Sequence, residues 1–288
     1  VGEVEITVVD NGGGDGSGDA VRSADPAARV IRNEVNQGFA KAVNQGLKES
    51  RGRLLCVLND DAVVESQTLR QVADFMDREA QAGIAGPQLV NADGSLQNSI
   101  DNFPGLADQF VNKSLLRALF PSRYPSKRQS HEAPVAVDSV VGACMVIRRE
   151  LMEKIGGLDE RYFVFLEETD YCLRARQAGY RTYFLPGVRV RHDQGMTGTK
   201  RSRHRTKVEY LRSMMAFLRR HRGAVLASVY AVGLFLKTAV ELVFDLILTL
   251  LTLGCVRSIR QRLAAHAWVF LWLLFFCPPT MGLKHARL

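Results

Sequence analysis

Five apolar residues in a row, Leu54 to Leu58, run into Asn59-Asp60-Asp61 and Ala62. An apolar run of this length, stopped by polar residues, reads as a strand buried on both faces, the habit of a parallel sheet. In an open α/β sheet the ligand lies just beyond the carboxyl ends of the strands. Adjacent carboxylates in that place suit a hard divalent cation, Mg²⁺ or Mn²⁺, carrying a phosphorylated substrate. The same residues also read as a polar turn entering a helix, with Ser66 as cap of a segment holding Leu69, Val72, Phe75 and Met76.

The stretches on either side repeat the pattern. Val4, Ile6 and Val8 alternate with polar residues and lead to Val9-Asp10-Asn11, a strand ending in polar groups. The glycine-rich loop from Gly12 to Gly18 does not fit G-x-G-x-x-G in any register, so it reads as a tight turn with close backbone approach. Ala28 to Arg32 is a short second strand. Asn36-Gln37-Gly38-Phe39 precedes Ala42, Val43, Gly46 and Leu47 at helical spacing, and that helix leads into the Leu54 strand. Strand, helix, strand in this order implies a right-handed crossover and a parallel sheet.

Further on, Gly83 to Val90 reads as a strand and Asn91 to Gly94 as a hairpin-type turn. Phe103 to Pro134 is irregular and reads as a long surface excursion, where acceptor-binding loops often lie. Val135 to Ile147 returns to β pattern around the small residues Gly142-Ala143-Cys144. Glu167-Glu168-Thr169-Asp170 heads a helix to about Ala178, and acids in a first turn are favoured by the helix dipole whatever else they do. Arg181 to Leu185 is a strand, Pro186-Gly187 a turn, and Val188 to Arg191 a strand ending at His192, which alone reads as a satisfied polar residue.

The five cysteines are scattered with no C-x-x-C, which argues against a disulfide framework or structural zinc and for a reducing compartment. The net charge is +8, and Arg189 to Arg222 carries eleven Lys/Arg against Asp193 and Glu209. That run suits a diphosphate, an anionic membrane surface, or simply a solvated face. Nucleic acid is set aside, because no zinc-finger spacing and no aromatic-interleaved RNA-binding strand occurs.

Taken together, four blocks resemble a family-two glycosyltransferase of GT-A fold, close to the bacterial rhamnosyltransferases. They are Val8-Val9-Asp10-Asn11 with its loop, Asn36-x-Gly-Phe, Leu58-Asn59-Asp60-Asp61, and Gly156 to Gly195, which reads G-G-L-D-E-R-Y-F, L-E-E-T-D-Y-C-L-R and P-G-V-R-V-R-H. The resemblance covers most of residues 1–200. It implies an α/β, Rossmann-like fold with a mostly parallel sheet flanked by helices, in a domain over 1–205. It further implies an inverting, metal-dependent transfer from a dTDP- or UDP-linked sugar to a polysaccharide or lipid-linked glycan in cell-envelope synthesis.

On that resemblance Asp10 bonds the nucleotide base, with Asn11 beside it, and Asn36 and Gly38 line the nucleotide pocket. Asn59, Asp60 and Asp61 replace the family's D-x-D. Asn59 faces the ribose, Asp61 is the better metal ligand, and His192 completes the Mn²⁺ or Mg²⁺ site. Glu168 matches the second acid of the family's E-D-x-D and is assigned as base, with glutamate in place of aspartate. Glu167 and Asp170 hold acceptor hydroxyls or the loop. The segment from Gly195 through Thr197 and Gly198 to Lys200-Arg201 closes over the diphosphate. Two rival readings are a catalytically silent nucleotide-sugar or glycan binder, and a nucleotidyltransferase or dehydrogenase on a similar sheet. The absent G-x-G-x-x-G weighs against the dehydrogenase.

Family members open with a further apolar strand and helix, whereas Val4 to Val9 is already the later strand. The chain is therefore expected to lack the first strand and helix of its fold. At the other end, residues 206–288 are basic and apolar. Ala224 to Gly254 is strongly apolar yet carries Lys237, Glu241 and Asp245 on one helical face, and Leu263 to Phe276 is a second apolar run. The first run is long enough to span a bilayer and the second is short for a span; a polar stripe with flanking arginines favours helices lying in a membrane interface, at the cytoplasmic face, and a soluble core or dimerisation pair is the other alternative.

Overall fold

The structure is a computed structural model that describes residues 4–121, 131–193 and 203–283. The segment expected to close over the diphosphate lies outside the described residues. In chain order the elements are β1 (Thr7–Asp10), α1 (Ser17–Ala24), β2 (Arg29–Arg32), α2 (Phe39–Glu49), β3 (Leu54–Leu58), β4 (Ala62–Val63), α3 (Ser66–Arg78) and β5 (Ala82–Val90). Then come β6 (Ile100–Asp101), α4 (Ala107–Phe110), α5 (Lys113–Leu119), β7 (Val135–Val137), β8 (Ser139–Val140), β9 (Cys144–Arg148), α6 (Arg149–Ile155), α7 (Glu167–Gln177) and β10 (Arg181–His192). The helices α8 (Arg203–Arg222), α9 (Ala224–Leu251) and α10 (Arg257–Leu274) follow. The chain divides into two compact units. One holds the described residues of Val1–Phe103, Val111–Tyr162 and Glu167–Thr197, the other those of Pro104–Phe110, Phe163–Leu166 and Gly198–Leu288.

The first unit is α/β, but its sheet is mixed where a parallel one is expected. A six-stranded sheet has the order β3-β9-β5-β10-β4, with β7 also on β10. β3, β5 and β10 run the same way, and β9 lies antiparallel between β3 and β5. β9 fits there because Cys144–Arg148 is itself an apolar run, buried from Cys144 to Ile147. β1 and β2 form a separate parallel pair. Among the described residues no ladder joins β1 to β3, so each has one unpaired edge. This corrects the reading of Leu54–Leu58 as buried on both faces. Leu55 and Val57 are buried, whereas Leu58 is 39% exposed.

Helices cover both faces of the larger sheet. Leu47 of α2, Leu151 of α6 and Tyr171, Cys172 and Ala175 of α7 pack with Leu55, Val57, Ile84, Met145 and Ile147. On the opposite face Val72 and Met76 of α3 pack with Ala85, Val146 and Leu185. Burying a Leu, Ile or Met side chain is worth about 1.5–3 kcal/mol, so these two layers dominate the unit's stability. Two local expectations change. Ser66 is the first helical residue of α3, and Glu65 occupies the cap without a side-chain bond. Arg181–His192 is one strand rather than two, because the pairing with β5 jumps from Leu185↔Pro87 to Arg189↔Gln88 and absorbs Pro186-Gly187 as an irregularity.

The second unit is helical. Val208, Met214, Phe217 and Leu218 of α8, Tyr230 and Leu234 of α9, and Val269 and Trp272 of α10 form its interior. Part of the polar stripe of α9 turns inward, while Lys237 stays exposed. Asp245, 1% exposed, accepts from Arg262 Nε at 2.6 Å and His266 Nδ1 at 2.8 Å. Glu241 lies 3.4 Å from His266 Nε2. The apolar side of the helix is the exposed one, the reverse of an ordinary surface helix. Among the described residues no helix is long and apolar enough to cross a membrane.

Candidate active site

The antiparallel pairing of β4 with β10 sets Ala62 opposite His192. That register puts the preceding residue, Asp61, beside the histidine, with Asp61 Oδ1 3.1 Å from His192 Nε2 and both side chains nearly buried. The backbone closes the same corner, since Asp193 N donates to Asp61 O at 2.8 Å. On the other side of the ring, His192 Nδ1 lies 3.0 Å from Gln97 Oε1. Gln97 Nε2 donates to Asn91 Oδ1 and to His192 O, at 2.7 and 2.5 Å. The amide is thereby oriented with its oxygen toward the ring, so Nδ1 carries the proton.

With Nδ1 donating to Gln97, Nε2 is left on the Asp61 side of the ring. Asp61 Oδ1 is buried and makes no hydrogen bond in this geometry, and its contact with Nε2 is an ion pair only when the ring is protonated. Two electron-rich atoms at 3.1 Å are stable only with a proton or a cation between them. Among the described residues no third His, Cys, Asp or Glu joins this pair. The pair therefore fits a divalent ion that takes its remaining ligands from a diphosphate and water, as Mg²⁺ sites do.

Asn59 and Asp60 form the turn between β3 and β4. Asn59 N donates to Ala143 O at 2.9 Å and Asn59 O accepts from Ala62 N at 3.1 Å, which fixes the turn against the start of β9. Asp60 is exposed.

The expected nucleotide residues gather at the ends of β1 and β2. Asn11 spends its whole amide on the loop opposite. Its Nδ2 donates to Asn36 Oδ1 and Gly38 O, at 3.1 and 3.2 Å, and its Oδ1 accepts from Asn33 Nδ2 and Gln37 N, both at 3.0 Å. Asn36 Oδ1 also accepts from Gly38 N at 2.8 Å. Asn11 and Asn36 thus shape the loop. Gly12 is required there, with φ +85° and a notional Cβ only 2.6 Å from Val35 C. Asp10, at the end of β1, is part-buried beside Gly18.

The acids at the head of α7 have separate environments. Asp170 is 0% exposed and accepts from Arg174 Nε at 2.7 Å. Arg174 also donates to Ile155 O and Gly157 O, at 2.9 and 2.7 Å. Asp170 thereby reaches the glycine loop through Arg174. Glu167 is 4% exposed, and its Oε2 has no hydrogen-bond partner. Burial first, then the neighbouring Glu168 charge, pushes its carboxyl well above the ordinary range. Glu168 is half-buried, against Gly142, and burial raises its carboxyl to about 7, helped by the negative charge of Asp101. A carboxyl poised near neutrality suits proton transfer. The two residues just before α7, Phe165 and Leu166, are non-glycine residues at φ 73° and 67°. Left-handed pairs of this kind are strained and cluster at functional sites.

Gln97 and Asn44 carry no sequence motif and Arg174 closes the L-E-E-T-D-Y-C-L-R block, and all three hold the site. Asn44 on α2 donates to Leu158 O and accepts from Leu158 N, both at 2.8 Å, and so pins the Gly156–Glu160 turn.

The family model described as glycosyl transferase family 2 matches residues 2–156. The N-acetylglucosaminyl-diphospho-decaprenol L-rhamnosyltransferase of Mycobacterium tuberculosis is 29% identical over 206 residues, which are 66% of this chain and 66% of that protein. The dTDP-rhamnosyl transferase RfbF of Shigella flexneri is 24% identical over 241 residues, 80% of this chain and 73% of that protein. Among solved structures, the mannosyltransferase PcManGT of Pyrobaculum calidifontis, in complex with GDP-Man and Mn²⁺, superposes with a TM-score of 0.50 at 19% identity, covering 93% of this chain and 78% of that one. That likeness is one of fold, and it supports the α/β, GT-A-type expectation in its coarse form.

Proposed function

We propose, starting from the fact that the chain belongs to glycosyl transferase family 2, that it moves a sugar from a nucleotide-diphosphate donor to a glycan acceptor with inversion at the sugar carbon. The observation that carries this reading is the Asp61–His192 pair, a buried carboxylate oxygen with no hydrogen bond set 3.1 Å from a ring nitrogen at the strand end. Asp61 and His192 would hold Mn²⁺ or Mg²⁺, which neutralises the charge developing on a leaving diphosphate.

Glu168 takes the proton from the acceptor hydroxyl as that oxygen attacks the sugar carbon from the side opposite the diphosphate. Its raised carboxyl leaves roughly half of the molecules ionised near pH 7, which is the form that accepts a proton. Burial, then the neighbouring Glu168 charge, raises the Glu167 carboxyl well above its ordinary range, which disfavours a second charge beside the base. Asp10 and the Asn36–Gly38 loop receive the base, and Asn59 and Asp60 the sugar-phosphate end. The names of the relatives make a dTDP-linked rhamnose donor and a diphospho-polyprenol glycan acceptor the first pair to test.

The test is a panel of nucleotide-sugars with Mn²⁺, read by nucleotide release and by product on a lipid-linked acceptor. Release from one donor that stops on chelation supports the reading. Tight donor binding with no release, even with acceptors present, makes the chain a silent binder instead.

A further inference from the structure

We propose that the exposed face of α9 is a docking surface for an anionic lipid bilayer, in which the helix lies along the interface. Val225, Val232, Leu236, Val240, Val243 and Leu250 are 56–80% exposed. Their spacing places them on one stripe that runs most of the 28-residue helix. At 1.5 Å per residue that stripe is roughly 40 Å long. Several polar groups of α9 are inside, while Lys237 stays exposed. Tyr230, Thr238 and Asp245 of the same helix are 1–2% exposed, and Asp245 is held by Arg262 and His266. An outer surface this apolar and this long calls for an apolar partner.

Charge selects which partner. Among the described residues of 203–283 every exposed ionised side chain is cationic: Arg219, Arg220, Arg222, Lys237, Arg257, Arg260 and Arg262. The carboxylates of this stretch, Glu209, Glu241 and Asp245, are buried or half-buried beside cations. Arginines therefore bracket α9 at both ends. A second copy of the chain would bring like charges together, whereas anionic headgroups over acyl chains complement both the arginines and the stripe. Since no described helix is suited to crossing, the surface lies on the bilayer, with the apolar stripe at the boundary of headgroups and acyl chains.

This inference does not depend on the transferase reading, because it is read without turnover. The full chain is floated with vesicles of phosphatidylglycerol and phosphatidylcholine, and with phosphatidylcholine alone. We expect it to float with the mixed vesicles, and the triple variant Val232→Glu, Leu236→Glu, Val240→Glu to stay behind with an unchanged circular dichroism spectrum. Replacing Arg219, Arg222 and Arg257 by Ser should lower partitioning onto mixed vesicles by about fivefold per residue, and leave phosphatidylcholine binding unchanged. Should the triple variant fail to fold, Leu250→Trp gives an independent reading, a fluorescence increment quenched by brominated lipid. No flotation, flotation of the folded triple variant, or a lipid-free dimer that the triple variant splits would each overturn the proposal.

Discussion

Gln97 Oε1 accepts from His192 Nδ1 at 3.0 Å, so a hairpin residue 95 positions away fixes which nitrogen of the histidine faces Asp61. Losing this acceptor leaves the ring free to turn or to exchange tautomers. Gln97→Leu should weaken Mn²⁺ binding by roughly 10–100-fold, the usual cost of losing a partner behind a metal-binding histidine. Electron paramagnetic resonance titration of Mn²⁺ reads this without turnover, and ¹⁵N spectra of the metal-free protein report the tautomer. Equal affinity in Gln97→Leu and the parent would remove Gln97 from this role.

Asp61→Asn should abolish the metal requirement by abolishing most of the activity. The amide can no longer neutralise a cation, and its NH₂ can now donate to Nε2, satisfying the pair without metal. If Asp61→Asn still needs Mn²⁺ at the parental concentration, the ion is held elsewhere.

Glu168→Gln should keep donor binding and lose transfer by ~10²-fold or more. In the parent, activity should rise with pH through about 7 as Glu168 ionises. Stability should move the other way. The folded carboxyl holds its proton to about 7 while the unfolded one releases it near its ordinary value of 4.5, so its stabilising share is full below 4.5 and is lost as pH rises through 7. The Glu168→Gln variant should therefore lose less melting temperature between pH 5 and pH 8 than the parent. Parallel melting curves would show that Glu168 is not the group titrating.

Arg174→Met should destabilise the first unit by about 3–5 kcal/mol, because it strands the buried Asp170 carboxylate. The double variant Arg174→Met, Asp170→Leu should recover a large part of that loss in denaturant melts. Activity lost in the single variant but regained with stability in the double would show that Asp170 acts by holding the glycine loop. A stable double variant that remains inactive would return Asp170 to a direct role.

Much of this site could be read from residue order alone. The strand ends at Asp10 and Leu58, the acids heading α7 and the histidine closing β10 all follow from apolar runs that stop at polar residues. The placement of β9 could not be read that way, because Cys144–Arg148 has the same apolar character as a parallel strand and only the long return from Asn91 decides its direction. Pro186-Gly187 looked like a break and is an irregularity, since β5 supplies a ladder on both sides of it. The inward turn of the α9 stripe was equally hidden, because which side of a helix faces its neighbours depends on Arg262 and His266, some twenty residues away. Gln97 and Asn44 act through hydrogen bonds to residues 95 and 114 positions away, for which no local spacing exists, whereas Arg174 pairs with Asp170 one helical turn before it.

The short β1–β2 ladder has a kinetic consequence. Four paired residues on each strand carry Asp10, Asn11 and the approach to Asn36, and a two-stranded ladder is marginal without further packing. Amide protons of Thr7–Asp10 and Arg29–Arg32 should therefore exchange with solvent far sooner than those of β5 and β9, which lie between neighbours on both sides. Nucleotide that settles on this ladder would have to order it, so donor binding should slow exchange there more than anywhere else in the sheet.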